Sequence, residues 1–178
     1  MTRFAETLNR YKKLNESVQL NSTVFFGADW LCNIPLSELS QTKGLETVIY
    51  NRSIKGLKMS DAENAIETCV CNLHPTKLFV NIGENDIMDK NFCAEKFIEK
   101  YEWLLYTLHL KCNCAIYVLS VTNDKYNVIN WQIKDLAMRH GYEYVDLETC
   151  KTSPLDFFHK IRLFLRTRPL SFFEAMTI

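Results

Sequence analysis

Polar residues able to do chemistry gather just after the apolar runs of this 178-residue chain. Gly27-Ala28-Asp29-Trp30 follows the first run, Asn51-Arg52-Ser53-Ile54-Lys55-Gly56 the second and Gly83-Glu84-Asn85-Asp86-Ile87 the third. Thr122-Asn123-Asp124 and Asp146 follow the fourth and fifth. Carboxylates at Asp29, Glu84, Asp86, Asp89 and Asp124, drawn to one edge, could hold magnesium for phosphoryl chemistry; solvated loop charges and helix caps account for them more simply. Cys32, three residues past Asp29, stands where the first turn of a helix favours a thiolate. Free cysteine is also a common core residue, and this chain has seven. Ser53 and Ser120 sit near run ends with no base beside them in sequence. Cys69-Val70-Cys71 and Cys112-Asn113-Cys114, with His74 and His109 nearby, have one-residue gaps, tighter than the roughly two to four residues of structural zinc. Packing thiols at helix–strand junctions explain them better, and the expectation is no metal and no cofactor.

The elements that position these residues alternate. Apolar, β-rich runs occur at 23–26, 47–50, 77–82, 114–121 and 142–145, several of them apolar on both faces as strands covered on two sides must be. Between them lie helical spacings. Ser60-Asp61-Ala62-Glu63 reads as a capped start running through Ala65, Ile66, Cys69 and Val70. Phe97, Ile98, Tyr101, Leu104, Leu105 and Leu108 recur at three- and four-residue steps, and a shorter pattern from Ile129 to Arg139 stops at His140-Gly141. Strand–helix alternation predicts an α/β fold, a doubly wound parallel five-stranded sheet with right-handed crossovers. An opening helix over residues 3–16 is expected to pack across an end of the sheet. In such sheets ligands collect beyond the carboxyl ends of the strands, where the polar clusters fall. Glycine, asparagine and aspartate suit ordinary turns equally well.

Composition narrows the function classes. Residues are 47% hydrophobic, 24% charged and 12% aromatic, which is globular and argues against disorder. Twenty-one basic and 21 acidic side chains leave no net charge, excluding a strong electrostatic drive to nucleic acid or an anionic membrane. No apolar run approaches the roughly 20 residues of a membrane span. With no apolar signal core near Met1 and an odd cysteine count, the expected setting is cytoplasmic with reduced thiols. One domain over 1–178 is expected: an N-terminal helical part (1–20), an α/β core (21–147) and a C-terminal helical segment (148–178). Ser153-Pro154 reads as the start of a helix and Arg168-Pro169 as a break, and the basic, aromatic tail beyond offers either a core-docking segment or a surface for a second copy of the chain.

Phe26-Gly27-Ala28-Asp29, Asn51-Arg52-Ser53-Ile54-Lys55-Gly56 and Gly83-Glu84-Asn85-Asp86, each after a strand, resemble the first three sequence blocks of the SGNH (GDSL) hydrolase family over about residues 20–147. The resemblance implies a three-layer α/β/α, flavodoxin-like fold and, in active members, hydrolysis of acyl or acetyl esters. It places Gly56 and Asn85 at the oxyanion-hole positions, where preorganised donors stabilise a tetrahedral oxyanion by about 3–4 kcal/mol each. It puts Asp29 where the family has its serine nucleophile. A carboxylate has no proton for a histidine to take, and its acyl product with an ester would be an anhydride. Asp29 is equally at ease as a helix cap or ligand contact. Asp156-Phe157-Phe158-His159 fits the family's aspartate–histidine pair in form, but the apolar Ile161-Arg162-Leu163-Phe164-Leu165 that follows reads as continuing helix. The resemblance thus leaves two readings. In one, an altered ester or acyl hydrolase uses Asp29, Asp156 and His159 with Gly56 and Asn85; in the other, a non-catalytic module binds a small-molecule ester or polar ligand. A magnesium-dependent phosphoester hydrolase is a weaker third.

Overall fold

Five short runs of β-branched and aromatic residues pair into one sheet in the computed structural model, which describes residues 2–43, 45, 47–122, 127–150 and 153–165. The strands are β1 (Thr23–Gly27), β2 (Ile49–Asn51), β3 (Lys77–Asn81), β4 (Ala115–Leu119) and β5 (Glu143–Val145). The helices are α1 (Arg3–Asn15), α2 (Asp29–Cys32), α3 (Leu36–Thr42), α4 (Met59–Cys69), α5 (Glu84–Ile87), α6 (Ala94–Cys112), α7 (Asn127–Arg139) and α8 (Pro154–Leu165), with 3-10 turns at Cys71–Leu73 and Glu148–Cys150. All strand pairs are parallel, in the order β2-β1-β3-β4-β5. This is the flavodoxin-like order, and its topological switch point lies between β1 and β3.

Alternation along each strand feeds two cores. Val24, Phe26, Leu78, Val80, Ile116 and Val118 point to one face and pack with residues of α1, α4, α6 and α7. Phe25, Phe79, Leu119 and Val145 point to the other and meet Leu31, Leu36, Phe157, Phe158, Ile161 and Leu165. The result is a three-layer α/β/α arrangement. Register lines up Phe25, Phe79 and Tyr117 on adjacent strands, with stacked ring centroids 4.4 and 4.5 Å apart.

Several boundaries differ from the sequence expectation for local reasons. β2 starts at Ile49, two residues inside its apolar run. β4 stops at Leu119, because Asn130 takes both backbone groups of Val121: its Oδ1 accepts from the N–H at 2.8 Å and its Nδ2 donates to the carbonyl at 2.9 Å. α4 begins at Met59 with no cap from its own neighbourhood, so the Ser60 cap expected from sequence is not made. Asp86 serves instead, its two carboxylate oxygens 3.0 and 3.1 Å from the Met59 N–H.

Helix α1 lies on α4 and reaches the carboxyl end of β2 through Tyr11, whose hydroxyl donates to the Ser53 carbonyl at 2.7 Å. Arg52, only 6% exposed, has its guanidinium 5.0 Å from the ring centres of both Tyr11 and Tyr50. Its Nη2 donates to Asn15 Oδ1 at 3.2 Å, and Asn15 Nδ2 donates to the Thr68 carbonyl at 2.7 Å. Burial pulls the Arg52 pKa below its ordinary value.

Candidate functional site

The carboxyl ends of β1, β2 and β3 come together at the switch point, and side chains from each tie the three loops to one another. Gly27 closes β1 against β3: an added Cβ would stand 2.4 Å from the Asn81 carbonyl oxygen, so only glycine fits this approach. The Ala28 N–H then donates to that carbonyl at 3.0 Å, and the chain turns into α2 at Asp29. Gly56, after β2, adopts φ +78°, which frees its N–H to point across the site.

That N–H donates to Asp29 Oδ2 at 2.7 Å. Asn85, on α5 after β3, donates its Nδ2 to the same oxygen at 2.7 Å. The three residues taken from the first three sequence blocks are therefore in direct contact, and the contact is among themselves. Asn85 Nδ2 also donates to the Leu57 carbonyl at 3.2 Å, so both hydrogens of its amide are used. Asp29 does not cap its own helix: Ala28 is the N-cap and makes no side-chain cap bond. Glu84 Oε2 supplies an acceptor there, taking the Trp30 N–H at 3.2 Å. Sequence reasoning missed the bracing roles of Glu84 and Asp86, and the glycine-any-asparagine-aspartate string is the signal that could have pointed to Asp86.

Asp86 is held above the usual aspartate pKa by desolvation, which outweighs the Met59 N–H and the neighbouring Lys58. Cys32 lies beside these carboxylates. Burial, reinforced by Asp29 and Glu84, pushes its thiol up to about 11, so it is a thiol near neutral pH and no nucleophile. Ser120 is buried with its Oγ accepting the Leu147 N–H at 2.8 Å, and Ser53 is buried as well.

Asp156 and His159 are not joined to this cluster by any hydrogen bond or ion pair. Both lie within α8 on exposed positions one helical turn apart, while Phe157 and Phe158 between them enter the second core. Phe157 meets the Trp30 ring edge-on at 4.9 Å and Phe25 at 6.3 Å. The Asp156 N–H is bonded to Ser153 Oγ at 3.2 Å, an ordinary N-terminal cap.

Asp89 pairs with Lys58 at 2.7 Å and accepts the Asn91 N–H at 3.1 Å, and Asp124 lies outside the described residues. Among the described residues, no group of three or more histidine, cysteine, aspartate or glutamate side chains is arranged to hold a metal ion. No described helix is long and apolar enough to cross a membrane. The basic, aromatic tail beyond Leu165, including Arg168-Pro169, lies outside the described residues.

No protein-family model matches the chain, and no curated protein matches it by sequence. Solved structures match it closely in fold. A Streptococcus pneumonia protein assigned as a platelet activating factor aligns with TM-score 0.73 at 18% identity, covering 92% of this chain and 93% of that one. A GDSL-like lipase from Bacteroides thetaiotaomicron aligns with TM-score 0.66 at 17% identity, covering 80% and 78%. A psychrotrophic esterase from Pseudoalteromonas aligns with TM-score 0.67 at 13% identity, covering 81% and 98%. The chain therefore has the SGNH/GDSL hydrolase fold.

Proposed function

We propose that this chain binds a small polar ligand at the strand ends of a hydrolase fold and does not hydrolyse esters. One observation carries the reading: a single carboxylate oxygen of Asp29 takes the hydrogen bonds of both Gly56 N–H and Asn85 Nδ2, each at 2.7 Å. An oxyanion hole needs donors about 2.7–3.1 Å from the developing oxyanion. Asp29 Oδ2 lies at that distance from both donors, a carboxylate oxygen from the chain itself in the place an ester's oxyanion would take. A substrate acyl oxygen would have to displace it and then lie against its charge.

The remaining chemistry agrees. Attack by Asp29 would use an oxygen whose lone pairs are held by two donors, which weakens it as a nucleophile. Proton transfer needs a base within about 2.6–3.2 Å or one water, and Asp29 has no histidine among its hydrogen-bond partners. His159 stands exposed on a continuous helix.

An occupied donor pair changes the kind of ligand the crevice suits. Donors that would receive an anion are spent, and the surface now offers the acceptor Asp29 with Glu84 beside it. A ligand presenting hydroxyl or ammonium donors fits this arrangement better than an ester carbonyl.

The test has two parts. Wild-type protein is expected to show no turnover of short acyl esters above the buffer rate; turnover lost in Asn85→Ala would overturn the proposal. In Asp29→Ala the two donors are released, and acetate is expected to bind and move the Gly56 amide resonance, whereas wild type gives no such shift. Equal response from both proteins would show that Asp29 does not occupy the donors in solution.

A further inference from the structure

At the opposite end of the sheet, two cysteines far apart in sequence meet. Cys71 begins the 3-10 turn after α4, and Cys112 is the last residue of α6. Their sulfurs are 3.2 Å apart across 41 residues of chain, and both are free thiols. Cys71 precedes β3 and Cys112 precedes β4, so the pair sits at the amino ends of two neighbouring parallel strands. This is the edge remote from Asp29, and the pair takes no part in the ligand chemistry above.

We infer that Cys71 and Cys112 are a site of reversible oxidation, joined as an intramolecular disulfide when the reduced chain meets a small peroxide. The reaction balances as two thiols and hydrogen peroxide giving one disulfide and two waters. Cys71 as thiolate attacks a peroxide oxygen, the O–O bond breaks, and hydroxide leaves with a proton from solvent as the first water. Cys112 then attacks the sulfenic sulfur of Cys71, its own proton leaves with the displaced hydroxide as the second water, and the S–S bond forms.

The surroundings assign these roles. The contact with Cys112 holds Cys71 below the ordinary thiol pKa, whereas the same contact and burial raise Cys112. A C-terminal helix position also disfavours a thiolate at Cys112. Lys111, near Cys71, is paired with Glu67 at 3.3 Å. Cys71 is 9% exposed and Cys112 is half-buried, which admits a molecule of peroxide size and disfavours bulky oxidants. Of the remaining cysteines, Cys114 lies within electrostatic reach of both, and burial, with the charge of Cys71 adding to it, raises its own thiol to about 11.

The bond would close a loop holding β3, α5 and almost all of α6. Cross-linking a loop of that size narrows the unfolded ensemble and stabilises the fold.

The experiment treats the full chain, fully reduced and then freed of reductant, with stoichiometric hydrogen peroxide. Thiols are counted after denaturation and the products mapped by peptide mass spectrometry. Two thiols are expected to disappear, the intact mass to fall by two hydrogens, and one cross-linked peptide pair containing Cys71 and Cys112 to appear, reversed by reductant. In Cys112→Ser, a substitution at a half-buried position, the same dose is expected to give no intramolecular bridge, Cys71 stopping at a sulfenic acid that dimedone labels, and Cys114→Ser is expected to behave as wild type. Retention of all seven thiols in wild type would overturn the proposal, as would a bridge involving Cys114 or one joining two chains.

Discussion

Asp29 shows how one side chain, at one position, can take up the hydrogen bonds of two neighbours from other loops. The resemblance singled out Gly56, Asn85 and Asp29 one by one. The contact among the three was not legible in the sequence. The carboxylate could have capped α2, which it starts, and that local solution was the natural one in a sequence window. The structure gives capping to Glu84, 54 residues away, and leaves Asp29 for the two donors. Asp86 is a second case, capping α4 from another loop. Because burial raises its pKa, the folded chain binds the Asp86 proton more tightly than the unfolded chain. Stability on its account therefore falls as pH rises from the ordinary aspartate value through the raised one. Asp86→Asn keeps an oxygen for the Met59 N–H and removes the charge. The variant is expected to be more stable than wild type at pH 7 and to lose that advantage toward about pH 3–4, where wild-type Asp86 is protonated too. Urea midpoints across this range measure it; a constant difference would mean that ionisation of Asp86 is not the cause.

The elements were easier to read than their caps. Helix α8 carries an aspartate and a histidine three residues apart, a spacing common to a catalytic loop and to one turn of helix. The residues between decide the matter, since two phenylalanines can be buried together only if the segment is an element with an apolar face. Phe157 and Phe158 are both fully buried, with Ile161 and Leu165 on the same face. Phe157→Ala is expected to cost about 3–5 kcal/mol, through the lost contacts with Trp30 and Phe25 and the cavity left behind. His159→Ala, on the wet side of the same helix, is expected to stay within about 0.5 kcal/mol. Chemical denaturation of both variants compares these values directly, and a large loss in the histidine variant would reveal a partner for its ring.

For the molecule as a whole, periodicity revealed the layers and local patterns concealed the joins. Apolar runs on both faces announced a covered parallel sheet, and the alternation of Val24, Phe25 and Phe26 correctly feeds two cores. No local window could pair Gly56 with Asp29 or Arg52 with Asn15, because those bonds form only once strands distant in sequence lie side by side. The N-terminal helix shows the consequence. Read from sequence, residues 1–20 are the helical start of a single domain, with the helix packed across an end of the sheet; in the folded chain the helix supplies one ring and one amide of the enclosure around a buried guanidinium. Deleting residues 1–15 would strip Arg52 of Tyr11 and Asn15 and leave the Thr68 carbonyl without its donor, a loss on the order of 3–5 kcal/mol. Domains of this size hold about 5–15 kcal/mol in all. The truncated chain is expected to lose its sharp urea transition, and a truncated form that unfolds as cooperatively as the full chain would contradict this. Anyone trimming the chain to a minimal core should therefore treat α1 as half of a clamp whose other half cannot be left open.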